Sequence, residues 1–247
     1  MVRSGLAIVV VCAGCAASLA KSPKPDAAVA SAAVVEADEA PVEQLGGAYA
    51  VAGEVMEYEV QLRGITVGRV QVAVGDPGEV DGRHAIIVRS RGASAGVVAL
   101  LGELSWEMTT TVDLDAGYAL TEDEEFTAIV AGKRKHEHTD RTWARDEGHH
   151  NIHSAAGGLR GWRSQLGARV AADVHLGNAT IPVELRDSDR EMVGDKPAVR
   201  YDGIAADELS VSIWISDDVA RVPLRVHCGT KFGDIQIELV GYELPRN

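Results

Sequence analysis

The sequence predicts an all-β protein, an antiparallel sandwich or curved partial barrel of about ten strands with one packed helix. Three observations carry this reading. From Glu54 onward apolar residues recur at every second position, the period of a half-buried strand. One stretch, residues 152–167, changes to intervals of three and four, the period of a helix. The hydrophobic residues make up 46% of the chain but the aromatics only 4%, so the core must be mostly aliphatic. With 247 residues, no internal repeat and no second linker, one folded domain over residues 53–247 is the economical count.

Residues 1–20 are read as a signal peptide. Arg3 supplies an early cation, Leu6 to Val11 an apolar run too short to span a bilayer, and small residues follow. "CAGC", ending at Cys15, resembles a bacterial lipobox, which implies cleavage before Cys15 and its lipidation. Ala16 after it points to the outer membrane, facing the periplasm; ordinary cleavage after Ala20, giving a soluble periplasmic protein, is the alternative. Residues 21–52 are rich in Ala, Pro and acids with no sustained period, and read as a flexible tether. Fully extended, such a spacer reaches on the order of 100 Å.

The strands follow in order. In "EVMEYEVQL", Met56, Tyr58, Val60 and Leu62 alternate with acids and Gln61. Val70, Val72 and Val74 continue a second strand to the turn "GDPG". His84–Arg91 is a third, and a fourth puts Leu104, Trp106, Met108, Thr110, Val112 and Leu114 on one face. Ala119–Trp143 reads as a long hairpin turning at "AGK", whose far arm is polar on both faces and belongs at an edge. The helix shows Ile152, Ala155, Leu159, Trp162 and Leu166 on one face, with Ser154 as N-cap and Gly167 as stop. Gly157, Gly158 and Gly161 each cost it about 1 kcal/mol relative to Ala, so it needs tertiary packing or uses the glycines for close approach to the sheet. "RVAADVHL", "TIPVELRD" and "KPAVRYDGI" are further strands. In the last hairpin Leu209, Val211, Ile213 and Ile215 oppose Val222, Leu224, Val226 and Cys228, and Ile235, Ile237 and Leu239 follow "KFGD".

"GEVMEYEVQLRGITVG", "HSAAGGLRGW" and "VSIWISDDVARVPLRVHCGTKFGDIQIEL" together resemble domain-of-unknown-function family 3108 over nearly all of residues 53–243. The resemblance implies a secreted bacterial envelope protein. It supplies no catalytic residues.

The net charge of −13, from 24 basic and 37 acidic residues, excludes nucleic acid as a partner. Asp217 and Asp218 are adjacent, so on an extended chain their carboxylates point apart and read as a bend rather than a catalytic pair. His149, His150 and His153 are the candidate metal ligands, and a metal-dependent hydrolase built on them is the alternative function; as a metal site they need three or four converging donors, and none is assigned. "GKRKHEH" is a basic hairpin tip, a solvated surface or a contact for acidic headgroups. Cys228 is a lone thiol on a strand, expected in the core. Trp214, among serines, either docks the helix through Trp162 or lines a ligand groove. The function expected is therefore non-catalytic: an envelope lipoprotein that binds an apolar or glycan ligand without a cofactor, or a purely structural assembly partner.

Overall fold

A computed structural model of the chain describes residues 41–144, 148–206, 209–230 and 233–245. Cys15, the signal segment and residues 21–40 of the tether lie outside the described residues. The strands are β1 (Val42–Gln44), β2 (Val55–Leu62), β3 (Ile65–Val74), β4 (Gly78–Val80), β5 (Arg83–Ser94), β6 (Gly102–Asp113), β7 (Ala119–Val130) and β8 (Lys133–Thr142). Then come β9 (His150–Asn151), β10 (Arg169–Leu176), β11 (Ala179–Val193), β12 (Lys196–Ala205), β13 (Leu209–Ser216), β14 (Pro223–Thr230) and β15 (Gly233–Glu243). Among the described residues two helices interrupt them, α1 (Gly96–Leu101) and α2 (Ile152–Gly161). The body is all-β, as the period of two predicts.

The strands form one sheet with the order β1-β10-β11-β12-β13-β14-β15-β2-β3-β5-β6-β7-β8, while β4 joins β5 and β9 joins β10. A single continuous sheet is a curved partial barrel, not a sandwich of two. Fifteen strands exceed the ten or so expected because three of them, β1, β4 and β9, are two or three residues long and too short to show a period. The sheet curls on itself: one buried cluster unites Met56 and Tyr58 of β2, Val88 of β5 and Val112 of β6 with Ala198, Trp214 and Leu224 from β12 to β14. The ends of the path, β1 and β8, do not pair with each other. Across that seam Ala119 N donates to His149 O, Ala48 N to Leu114 O and Arg141 to Asn178. The β7–β8 hairpin turns at Ala131 and Gly132, and β8 is the predicted polar edge.

Residues before 53 also pack on the body. Val42–Gln44 pair in parallel with Arg169–Ala171, Leu45 is buried beside Leu159, and Tyr49 N donates to Gly157 O. The partner of this segment lies far along the sequence, so local composition reads as tether.

α2 differs from expectation at both ends. Its N-cap is Asn151, which accepts from Ser154 N while the Ser154 hydroxyl receives the Asn151 N–H, a reciprocal capping box with Ser154 at the fourth position. Its C-terminus is Gly161, not Gly167. Arg221 closes it, donating to the carbonyls of Leu159, Arg160 and Trp162 and placing a cation where the helix dipole is negative. Leu166, expected on the packed face, is exposed. The glycines do allow close approach, but to residues 45–49: a Cβ on Gly161 would lie 2.6 Å from Gly47 O.

Candidate functional site: an apolar cavity with a polar wall

The curled sheet and α2 line an open cavity of about 260 Å³. Its walls come from inward alternates of β2, β3 and β5, among them Met56, Val60, Val70, Val72 and Val88, and from Ile152 and Ala156 of α2. Alternation along each strand sends these apolar side chains inward while Glu57, Glu59 and Gln71 leave the cavity wall. The volume is at the lower end of small-molecule sites.

One side of the cavity is polar and already satisfied. His153 Nε2 lies 2.8 Å from Ser90 Oγ, and its Nδ1 lies 2.8 Å from Thr110 Oγ1. Asn151 Nδ2 donates to both Thr110 Oγ1 and Glu122 Oε2 at 2.8 Å, and Arg141 pairs with Glu122. The chain Ser90–His153–Thr110–Asn151–Glu122–Arg141 therefore ties the start of α2 to β5, β6, β7 and β8. A serine bonded to a histidine facing a cavity invites comparison with a nucleophile and its base. Burial lowers the His153 pKa from 6.5 to about 3, so the imidazole is a poor proton acceptor. Its second nitrogen meets a hydroxyl rather than the carboxylate that would stabilise an imidazolium. The arrangement anchors the helix; it is not equipped for acyl transfer.

A second buried network lies under the other end of α2. Arg160 forks onto both carboxylate oxygens of Glu54 and donates to the carbonyls of Ala220 and Arg221. Both side chains are almost wholly buried. Arg221 reaches back to Tyr201 Oη at 2.8 Å. Tyr58 and Tyr242 stand close to the pair, and both phenols are raised: Tyr58 by burial, and Tyr242 to about 12 by burial and then by the Glu54 charge.

The histidines weighed as metal ligands in the alternative reading do not converge. His149 Nδ1 faces His175 Nε2 at 2.8 Å, with Trp143 about 6 Å from both rings. His150 packs on Tyr118, 4.9 Å between centroids, and its pKa is lowered chiefly by burial. His153 points at Ser90 and Thr110. Neighbouring residues on β9 face opposite sides, and the turn into α2 sends His153 inward. Among the described residues no three His, Cys, Asp or Glu side chains form a group fit to hold a metal ion.

Asp217 and Asp218 form the bend between β13 and β14. Asp218 Oδ1 accepts from Ser216 Oγ and from the backbone N–H groups of Ala220 and Arg221. Trp162 and Trp214 belong to separate clusters. Trp162 packs on Tyr201, 5.4 Å between centroids, and donates to Glu43. Ile213 and Ile215 pack with that helix cluster, so alternation turns Trp214 away from it. Trp214 is buried between the Arg200 and Arg225 guanidiniums, 5.2 and 5.6 Å from its ring centre, and donates to Glu191. It is buried rather than exposed to a groove and is not part of this cavity's wall. Cys228 is buried, as expected. Sequence reasoning missed Ser90, Thr110, Asn151 and Glu122 as one constellation, since they lie on four elements; Asn151 before the helical period was the one local signal.

No protein-family model matches the chain, and no curated protein matches it. Among solved structures it is similar to a β-barrel-like protein of domain of unknown function DUF1849 from Brucella abortus, with a TM-score of 0.50 and 10% identity, over 80% of this chain and 99% of that one. At that identity the likeness concerns the fold alone. The chain is an all-β, barrel-like domain whose structural neighbour is itself of unknown function.

Proposed function

We propose that this chain is a non-catalytic envelope domain that holds an apolar ligand of the acyl-chain kind in the cavity of its curled sheet, and that it belongs with the secreted proteins of domain-of-unknown-function family 3108. The observation that carries this is the cavity, lined mostly by apolar side chains such as Met56, Val60, Val70, Val72 and Val88 and bordered by α2. On its polar side Ser90, His153 and Glu122 spend hydrogen bonds within one network, which suits an alkyl chain better than a glycan, whose hydroxyls need free partners. In this reading lipidated Cys15 holds the domain at the outer membrane on the periplasmic side, with the residues before β1 as spacer. The hydrolase alternative draws no support from His149, His150 and His153, which serve three different contacts.

Native mass spectrometry of the gently purified protein tests the proposal. A bound lipid mass is expected, and its loss in Ala156→Trp, which adds a bulky ring at an exposed position bordering the cavity. An empty wild-type protein that takes up no fatty acid overturns the reading. Cys15→Ala is expected to remove the acyl mass and to release the protein from membranes washed in high salt, which strips electrostatic docking but not a lipid anchor; unchanged retention and mature mass would favour cleavage after Ala20.

A further inference from the structure

We propose that α1 and the tip of the β7–β8 hairpin form a docking surface for an anionic lipid bilayer, separate from the N-terminal anchor and independent of what fills the cavity. Val97, Leu100 and Leu101 share one face of α1 and are 55%, 85% and 79% exposed. Val98 alone turns inward, against Leu104, Trp106, Phe126 and Ala128. Two other exposed apolar residues flank this face. Ile65, 54% exposed, adjoins Thr66, against whose carbonyl Gly96 is pressed so closely that a Cβ there would lie 2.4 Å away. Val130, 42% exposed, pairs with Gly102 at the end of α1. Large aliphatic side chains gathered at one edge and left to water mark a surface that is covered in use.

Charge identifies what covers it. Lys133, Arg134 and Lys135 follow Val130 round the hairpin turn, with Lys133 directly opposite Val130 and Arg134 opposite Ile129. Glu137 takes Lys135 at 2.7 Å, and Glu103 on β6 lies opposite Ile129. Three consecutive cations beside a bare apolar helix stand out in a chain of net charge −13. An apolar wedge rimmed by cations fits acyl chains below and anionic headgroups around it. Acidic bilayers meet both requirements at once. The position also suits the cavity, whose wall reaches Val67 and Ala93 at the foot of α1, where Ala95 N donates to Val67 O.

The test is flotation of the full chain carrying Cys15→Ala with vesicles of phosphatidylcholine, with and without phosphatidylglycerol. That chain, wild type at every other position and called wild type in this test, is expected to float with the anionic vesicles. Leu100→Asp with Leu101→Asp, both at exposed positions, should weaken binding on the order of tenfold or more. Lys133→Glu with Arg134→Glu should weaken it about fivefold per removed cation, and only on anionic vesicles. Binding that is equal in all three proteins, or absent in wild type, overturns the proposal; so does a dimer broken by the α1 variants without any vesicle binding. Uptake of a fluorescent fatty acid, measured alongside, keeps the two proposals apart. A protein that takes up the probe but ignores vesicles loses only the docking surface, and one that docks without uptake loses only the cavity ligand.

Discussion

Asp217 and Asp218 are neighbours with unequal duties. Asp218 organises three donors at the bend, whereas no side-chain hydrogen bond is recorded for Asp217, whose backbone N–H donates to Pro197 O. Asp218→Ala should therefore cost about 1–3 kcal/mol in urea unfolding, and Asp217→Ala much less. Removing one member of the Glu54–Arg160 pair should cost more, about 3–5 kcal/mol, because Glu54→Gln or Arg160→Met leaves its partner charged and buried. His153 gives the fold an acid limit. Its pKa is about 3 in the fold and near 6.5 in the unfolded chain, so below pH 6.5 the unfolded chain holds the extra proton. Stability from this residue is full above pH 6.5 and drains away as the pH falls toward 3. Urea midpoints followed across that window should fall less steeply in His153→Gln than in wild type; His150 and His175, shifted the same way by burial, leave some slope behind.

Among the elements, α2 concentrates the consequences. Asn151→Ala removes a helix cap and the donor to Thr110 and Glu122, and should cost about 2 kcal/mol or more in the same unfolding assay. Trp162→Ala and Trp214→Ala should each cost about 3–5 kcal/mol, and the double variant should lose the sum, because the two rings fill different clusters. A shortfall from additivity would mean that the clusters communicate. The long strands were legible because their alternation is local; Val70 to Val74 or Ile235 to Leu239 need no partner to be recognised. α1 was not legible, since "GVVALL" holds fewer than two turns and shows no period. The end of α2 was misplaced because Leu166 continues the helical spacing, while the residue that stops the helix, Arg221, lies on another hairpin. The candidate site was the least legible part. Cavity-lining valines have the same spacing as core valines, and Ser90, Thr110 and Glu122 become a polar wall only when the sheet curls.

For the molecule as a whole, the boundary that composition suggests is not the boundary that packing enforces. A chain beginning at Gly53 lacks β1, the buried Leu45 and the Glu43 carboxylate that accepts from Trp162. It should melt several degrees lower than one beginning at Pro41, in a thermal unfolding experiment on the two fragments. Equal melting temperatures would show that the parallel β1–β10 pairing contributes nothing.

The unpaired ends of the strand path set how wide the barrel can be. In a closed barrel strand number and shear fix the diameter, and no side chain can alter it. Here the seam is pinned near Ala119, His149 and Arg141, while β8 carries no further strand on its outer edge down to Lys133. The girth at the α1 end is thus set by side-chain packing rather than by a ring of ladder bonds. For the apolar ligand proposed above, chains of different length would be sleeved by the same strands, with the ladder intact and only the seam changing its gap.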